Sequence, residues 1–377
     1  MAQLALIGAQ VFDGQALRKG LAVLIRDGVP KTVAPSALPS GCATVPLNGG
    51  ILLPGFVDLQ VNGGGGIMFG DMPTPEGLAT LATAHRTLGT TALLPTLITD
   101  RPEVTRAAID AVANAVAQGV PGVLGLHLEG PHLDPRRAGA HDTARIRPMT
   151  DDDLGVLLRA AQRIPNLMVT LAPEAVRADQ IQKLCKAGVV VSLGHSDTDY
   201  ESARAAIAAG ACCVTHLFNA MSPLASRAPG LVGAALQSNV AAGLIADGIH
   251  VHPATISTAL AARSARAATF LISDAMACAG TEQTEFMLQG RRIMRAHGRL
   301  TLPDGTLAGA DLDLARAVHV MVEAVGEPLE TALARATRIP ASVLPEPGDA
   351  GHWPDSMERL NYLTPKFKVV PATTLLG

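Results

Sequence analysis

The chain has 377 residues, of which 48% are hydrophobic, and its formal net charge is −3. This length and composition predict a globular protein that buries one large core and a smaller one, with enough residues for a single large α/β barrel. The slightly acidic balance excludes the basic surface that nucleic acid or an anionic membrane would require, so we expect neither partner.

The cysteines and the first residues indicate a reducing compartment. Five cysteines without CxxC spacing argue against a disulfide scaffold and against a thiolate zinc site. The chain starts without the basic segment and cleavage site of a secretory signal, and no apolar run is long enough to cross a bilayer. We therefore expect a cytoplasmic protein.

The first 50 residues predict β-hairpins. Short apolar runs at Leu4–Ile7, Leu21–Ile25 and Ala43–Val45 alternate with the turn signals Asp13-Gly14 and Asp27-Gly28.

From residue 51 a strand followed by a helix recurs. Helical periodicity is clearest at Glu76–Leu88, Val104–Ala117, Asp151–Arg163 and Asp199–Ala209. Eight apolar strands that alternate with helices predict a (β/α)₈ TIM-like barrel. These strands are predicted at Gly55–Gln60, Thr91–Thr96, Val123–Glu129, Leu167–Ala172, Val189–His195, Ala211–His216, Ala242–Asp247 and Thr269–Asp274.

An open, doubly wound sheet is the alternative fold. It would require a nucleotide-binding fingerprint after the first strand, and the Gly63–Gly66 run lacks both the GxGxxG helix entry and the Walker lysine. We interpret this run as a flexible loop beside the site.

The last part of the chain contains two further helical segments, Leu312–Val325 and Leu329–Ala336, and then an irregular stretch rich in Pro and Gly. An extended run at Leu360–Val370 is expected to pair with the N-terminal hairpins. We therefore predict a small β-sandwich domain built from residues 1–50 and 345–377, outside a catalytic barrel of residues 51–344.

Active sites of barrel enzymes lie at the C-terminal ends of the strands, and polar residues end several of these runs. Glu129, His195 and His216 end the third, fifth and sixth strands. Each alone is as well explained by a structural role, but together they form a typical catalytic zinc ligand set of two histidines and one carboxylate with a position left for water.

Two further polar residues fall at the same rim. Asp274 ends the eighth strand and is the carboxylate that is available as a general base, although an Asp at this point is also a common helix N-cap. His127 points to the same side of its strand as Glu129, and we interpret it as orienting the ligands rather than as a ligand itself.

A series of motifs resembles the N-acetylglucosamine-6-phosphate deacetylase family of the amidohydrolase superfamily. The resemblance covers residues from about 50 to about 345, with the motifs in the family's order and spacing. The motifs are PGFVDLQVNG (54 to 63), HLEGPHL (127 to 133), GHSD (194 to 197), THLFNAM (215 to 221), PGLVGAAL (229 to 236), ADGIHV (246 to 251) and SDAMACAG (273 to 280).

The resemblance implies a metal-dependent hydrolysis of the acetamide of N-acetylglucosamine 6-phosphate. It implies that Glu129, His195 and His216 hold the metal and that Asp274 is the general acid and base. The residues implied to contact the substrate are His141 and His250, with Asn219 and Ala220 at its phosphate. Arg227 is implied to reach the phosphate in the neighbouring subunit, which predicts a homodimer.

The sequence departs from many amidohydrolases at the first strand, where His-x-His is replaced by Gln60-Val61-Asn62. No lysine lies between Lys31 and Lys183 to form a bridging carbamate, so we expect one divalent ion per subunit. Zinc is the preferred ion, with Fe²⁺, Co²⁺ and Mn²⁺ as alternatives. Gln60 and Asn62 are expected to lie just outside the ligands, with Gln60 bonding a water near the ion.

Two other functions remain compatible with these residues. The same ligands serve relatives that hydrolyse another amide or a cyclic imide, as dihydroorotase-like enzymes do. A metal-free sugar-phosphate binding protein is the non-enzymatic alternative, but it would be expected to have lost a ligand or the base.

Overall fold

Eight parallel strands, each hydrogen-bonded to the next in chain order, form the central sheet of a computed structural model that describes residues 3–264 and 268–376. A parallel bridge between Val61 and Ala275 brings the end of the sheet back to its first strand. The predicted (β/α)₈ barrel is confirmed. Its strands are Phe56–Val61, Thr90–Ile98, Leu126–Glu129, Leu167–Leu171, Val190–Leu193, Cys213–Val214, Ala241–Leu244 and Thr269–Leu271.

Helices between the strands cover the outside of the barrel, which explains why the strands are apolar on both faces. Several helices begin at side-chain caps: Thr150 and Asp153 form a reciprocal capping box, and Asp199 accepts the N–H of Ser202. The helices are Pro75–Thr87, Pro102–Ala117, Asp151–Ala161, Ala178–Lys186, Tyr200–Ala208, Gly230–Leu236, Pro253–Ala262, Leu314–Val320, Leu329–Arg335 and Arg338–Ala341, with a π-helical turn at Met321–Val325.

Both chain ends contribute strands outside the barrel. One sheet pairs Gln3–Ile7 with Ala22–Arg26 and Ala43–Pro46, and Ala22–Arg26 pairs in turn with Val29–Val33. Asp27 and Gly28 join the last two strands with φ of 52° and 77°, as a two-residue hairpin turn requires. The second sheet contains Gln10–Phe12, Leu17–Arg18, Ile51–Pro54, Leu360–Leu363 and Val369–Pro371.

The C-terminal strand Leu360–Leu363 pairs antiparallel with Ile51–Pro54, so the end of the chain is hydrogen-bonded to the strand that immediately precedes the barrel. Apolar side chains from both ends of the chain, including Leu6, Val23 and Leu360, form a core separate from that of the barrel.

A four-stranded antiparallel sheet, which was not predicted from the sequence, follows the eighth barrel strand. Its strands are Glu285–Leu288, Arg291–Ala296, Arg299–Thr301 and Leu307–Ala310. Burial alternates along Glu285–Leu288, and the inward-facing Phe286 and Leu288 pack with Met68 and Met276. This insert sheet therefore lies beside the loops that follow the first and eighth barrel strands.

In the described part of the chain, no helix is long and apolar enough to span a membrane.

Candidate active site

Three side chains from three barrel strands converge at the C-terminal rim. Glu129 is the last residue of its strand, and His195 and His216 follow their strands by two residues. Nε2 of His216 lies 3.0 Å from Oε1 of Glu129 and 3.0 Å from Nε2 of His195, and Nε2 of His195 lies 3.3 Å from the same carboxylate oxygen. All three residues are buried.

This spacing matches the donor set of a small divalent ion. Donor atoms bonded at about 2.0–2.1 Å in a tetrahedral site lie roughly 3.3 Å from one another. Burial by itself would raise the pKa of Glu129, but the neighbouring imidazoles of His141, His195 and His216 hold that pKa well below its ordinary range. The carboxyl group is therefore an anion ready to bind a cation.

His141 borders the same cluster. Its Nε2 lies 3.6 Å from Oε2 of Glu129, and its ring centre is 4.3 Å from that of His195. Glu129, His141 and His195 offer ligand atoms that lie within 4.8 Å of one another. Burial lowers the pKa of His141 to about 4, which keeps its ring neutral.

The hydrogen bonds of the Nδ1 atoms give His195 and His141 different tautomers. Nδ1 of His195 lies 2.8 Å from the carbonyl oxygen of Arg137, and a carbonyl oxygen only accepts, so Nδ1 carries the proton and Nε2 has a free lone pair. Nδ1 of His141 accepts the backbone N–H of Thr99 at 3.3 Å, which assigns the proton of His141 to Nε2. His195 is therefore suited to bind a metal, and His141 to donate a hydrogen bond.

Asp274 is tied to the cluster by amide side chains. Its Oδ1 accepts from Nδ2 of Asn62 at 2.8 Å and from Nε2 of Gln60 at 3.1 Å, and the same Gln60 nitrogen donates to Oε1 of Glu129 at 3.1 Å. Burial, followed by the charge of Glu129, raises the pKa of Asp274 to about 6. A carboxylate with a pKa near the working pH is suited to exchange protons.

Non-glycine residues with left-handed backbone are concentrated at this rim. His195 has φ of 46°, His216 31°, Phe218 80°, Ala220 49° and Asp274 50°. Such conformations cost of order 1–3 kcal/mol each and cluster at functional sites, where the surrounding structure holds them. The loops after three barrel strands are thus held in the conformations that aim these side chains inward.

A cavity of about 370 Å³ opens over the cluster. It is lined by most of the predicted site residues, namely Asn62, Glu129, His141, His195, His216, Asn219, Ala220, His250 and Asp274. Ile98, Arg136, Arg137, Met276 and three residues of the insert sheet region, Thr306, Leu307 and Gly309, also line it and were not foreseen. The volume suits a small organic molecule, and the lining offers it several polar side chains.

Comparisons with known proteins agree with this geometry. The model of the Amidohydrolase family matches residues 51–351. N-acetylgalactosamine-6-phosphate deacetylase of Shewanella sp. (strain ANA-3) is 43% identical over 90% of this chain and 86% of its own. N-acetylglucosamine-6-phosphate deacetylase of Haemophilus influenzae is 33% identical over 90% of this chain and 89% of its own. The crystal structure of N-acetylglucosamine-6-phosphate deacetylase from Pasteurella multocida has a TM-score of 0.90 at 31% identity and covers 97% of both chains.

The chain belongs to the amidohydrolase family. It is therefore a hydrolytic enzyme, and family membership together with the buried Glu and His cluster supports a metal cofactor.

Three predicted residues of this amidohydrolase lie in settings that the sequence could not specify. Gln60 links Glu129 to Asp274 directly. His127 is buried, with its ring nitrogens 2.7 Å from the Thr170 hydroxyl and 3.3 Å from the Thr96 hydroxyl. Arg227 is exposed, on the loop that precedes the helix Gly230–Leu236.

Asp247 ends the seventh predicted strand, and the structure shows a contact that the strand pattern does not predict. Asp247 is fully buried as a side chain, and its Oδ2 lies 2.6 Å from Nδ1 of His250 in the cavity wall. The spacing of an Asp three residues before a His, after a barrel strand, was the available signal.

Proposed function

We propose that this amidohydrolase hydrolyses the acetamide of N-acetylglucosamine 6-phosphate to glucosamine 6-phosphate and acetate. The observation that carries the proposal is the convergence of Glu129 Oε1, His195 Nε2 and His216 Nε2 at 3.0–3.3 Å from one another, with Asp274 tied into the same cluster through Gln60. The names of the similar enzymes supply the substrate class.

The metal ligands in this proposal are Glu129, His195 and His216. The tautomers support this set over one that contains His141, because Nε2 of His195 is unprotonated whereas Nε2 of His141 carries a proton. Gln60 and Asn62 donate amide hydrogens where many amidohydrolases have histidine ligands, which supports a single ion. Zinc is the ion we propose, since two histidines and a carboxylate are a common catalytic zinc set.

The protein side chains have distinct roles in the proposed reaction. When bound, the divalent ion supplies Lewis-acid polarisation and an activated water. Asp274 accepts the proton of the attacking water and then delivers it to the departing amine, a role that suits its raised pKa. His141 and His250 contact the polar groups of the sugar and the charge that develops on the acetamide oxygen. In these contacts His141 donates its Nε2–H.

The phosphate is proposed to bind at the segment after the sixth strand. Asn219 and Ala220 line the cavity and are held by the left-handed backbone at Ala220. Arg227 is exposed and is not part of the cavity lining of its own chain, which supports the proposal that it reaches the phosphate of the neighbouring subunit in a homodimer. A guanidinium binds a phosphate by donating two parallel hydrogen bonds to it.

N-acetylgalactosamine 6-phosphate is a second candidate substrate. The relative that acts on it is 43% identical to this chain, against 33% for the Haemophilus influenzae enzyme that acts on the glucosamine derivative. The two sugars differ only in the configuration at C4, so the metal site and the phosphate site serve either one.

We also propose that the protein works in the cytoplasm. The division of the chain that we propose is a small β domain of residues 1–50 and 345–377 and a catalytic barrel of residues 51–344. A core that unites Leu6, Val23 and Leu360 supports a small domain built from both chain ends, and the strand Ile51–Pro54 joins that domain through its pairing with Leu360–Leu363.

The test is acetate release by the metal-loaded protein from the two sugar phosphates and from unphosphorylated N-acetylglucosamine. We expect rapid release from at least one phosphorylated sugar and a much larger KM for the unphosphorylated one. Hydrolysis of a cyclic imide or of another amide, with no acetate release from either sugar phosphate, would show that the substrate assignment is wrong.

A further inference from the structure

A turn after the seventh barrel strand holds an aspartate and a histidine together. Oδ1 of Asp247 accepts the backbone N–H groups of Ile249 and His250, each at 2.8 Å. Oδ2 of Asp247 lies 2.6 Å from Nδ1 of His250. The carboxylate is thus fixed at both oxygens, and its side chain has no exposed surface.

This contact determines which nitrogen of His250 carries a proton. A carboxylate oxygen accepts, so Nδ1 of His250 is the donor and Nε2 is the nitrogen left for the cavity that the residue lines. Burial would raise the pKa of Asp247, but the hydrogen bond and charge of His250, together with the backbone N–H groups of Ile249 and His250, lower it. The pair is therefore an ionised carboxylate that orients an imidazole, an arrangement that serves catalysis in other enzymes.

We propose that Asp247 is a positioning residue that fixes the tautomer and orientation of His250 for its contact with the substrate. The proposal rests on the deacetylase function proposed above, because that function places the substrate in the cavity beside His250.

The variant Asp247→Asn separates this role from the role of Asp247 in the turn. The amide oxygen of Asn still accepts the N–H groups of Ile249 and His250, so the turn is retained. The amide nitrogen, however, is a donor and meets Nδ1 of His250, which must then become an acceptor and move its proton to Nε2. We expect an unchanged melting temperature and metal content, with a roughly 10- to 100-fold lower kcat/KM, as for other partners that orient a catalytic histidine.

Asp13→Asn is a matched control. Oδ1 of Asp13 accepts the N–H groups of Gln15 and Ala16, and Oδ2 accepts from Nε of Arg18, so the turn has the same pattern of contacts. It lies among the N-terminal strands, away from the barrel rim. We expect Asp13→Asn to keep the wild-type kcat/KM.

Two measurements decide the proposal. In a double-mutant cycle, Asp247→Asn should cause little further loss in a His250→Ala background, because Asp247 acts through the imidazole. In ¹⁵N-histidine-labelled protein, the ring resonances assigned with His250→Ala should report a protonated Nδ1 in the wild type and a protonated Nε2 in Asp247→Asn.

The resonance measurement does not depend on turnover, so it distinguishes failure of this inference from failure of the proposed function. An unprotonated Nδ1 in the wild type overturns the inference even if the enzyme is active. An active wild type whose kcat/KM is unchanged by Asp247→Asn, or full additivity with His250→Ala, overturns it as well. A wild type that releases no acetate overturns the proposed function, and with it the catalytic use of this pair.

Discussion

Asp58 tests how much folding free energy an ionised side chain costs in the barrel interior. It lies in the first barrel strand with no exposed surface, and its carboxylate accepts the N–H of Gln60 and the N–H of Ser273, both at 3.2 Å. Burial, which is only partly offset by these hydrogen bonds, raises the pKa of Asp58 from 3.8 to about 7. The perturbation we propose is Asp58→Asn, which removes the charge and nearly preserves the shape.

The magnitude follows from linkage between protonation and folding. A shift of about three pKa units at about 1.4 kcal/mol each makes the ionised Asp58 cost about 4 kcal/mol of folding free energy. Because the pKa of Asp58 is raised in the folded state, the wild type has its largest contribution from this residue to the free energy of unfolding below about pH 4. This contribution falls as the pH rises toward 7. About 3 kcal/mol of this loss lies between pH 5 and pH 8.

The stability of the Asn variant does not fall with pH in this way, because its side chain is uncharged. However, its amide N–H₂ faces the backbone N–H of Ser273, and two facing donors cost roughly 1–3 kcal/mol of stability at every pH. We therefore expect Asp58→Asn to be about as stable as the wild type or less stable at pH 5, and more stable at pH 8. The assay is urea unfolding of the metal-loaded proteins at intervals of half a pH unit. A stability difference that stays constant from pH 5 to pH 8, or that moves in favour of the wild type as the pH rises, would refute the reasoning.

Three further substitutions test the site. Asp274→Asn should leave the metal content intact and lower kcat by roughly 10²- to 10⁴-fold, and substantial residual turnover would contradict its role as the acid and base. Arg227→Ala should raise KM for the phosphorylated sugar far more than it changes activity on N-acetylglucosamine, whereas equal effects on the two would argue against phosphate recognition. Arg137→Ala removes an ion pair of 2.6 Å with Asp197 that anchors the carbonyl acceptor of His195, so we expect about tenfold weaker metal binding in a chelator competition; unchanged affinity would mean that the backbone alone orients His195.

The barrel was predictable because its strands are short apolar runs separated by amphipathic helices. The strand ends were predicted less well: His195 and His216 lie two residues beyond the last paired residue rather than in the strands. The reason is that both residues have left-handed backbone, which interrupts strand pairing and which no local preference of histidine indicates.

The insert sheet was missed although its turns have a signature. Gln289-Gly290 and His297-Gly298 each join two strands, and all four residues have positive φ. Burial alternates regularly in Glu285–Leu288 and Leu307–Ala310, while Arg291–Ala296 contains three arginines and is exposed along much of its length. Such a segment resembles a surface loop until the sheet that it joins is known.

The candidate site residues were predictable as chemical types at strand ends, but their roles depend on contacts distant in sequence. Arg137, 58 residues before His195, fixes the tautomer of that histidine, and Thr99, 42 residues before His141, fixes the opposite tautomer there. These contacts separate a metal ligand from a hydrogen-bond donor, and neither follows from local sequence.

The central claim is that Glu129, His195 and His216 hold one metal ion that the deacetylation requires. Its most direct test is to titrate metal-free protein with Zn²⁺ and to measure acetate release from N-acetylglucosamine 6-phosphate and N-acetylgalactosamine 6-phosphate at each point. We predict no release without metal and activity that rises linearly to a plateau at one equivalent per chain. A folded protein that is inactive on both sugars at every metal content, or that needs two equivalents, would contradict the account.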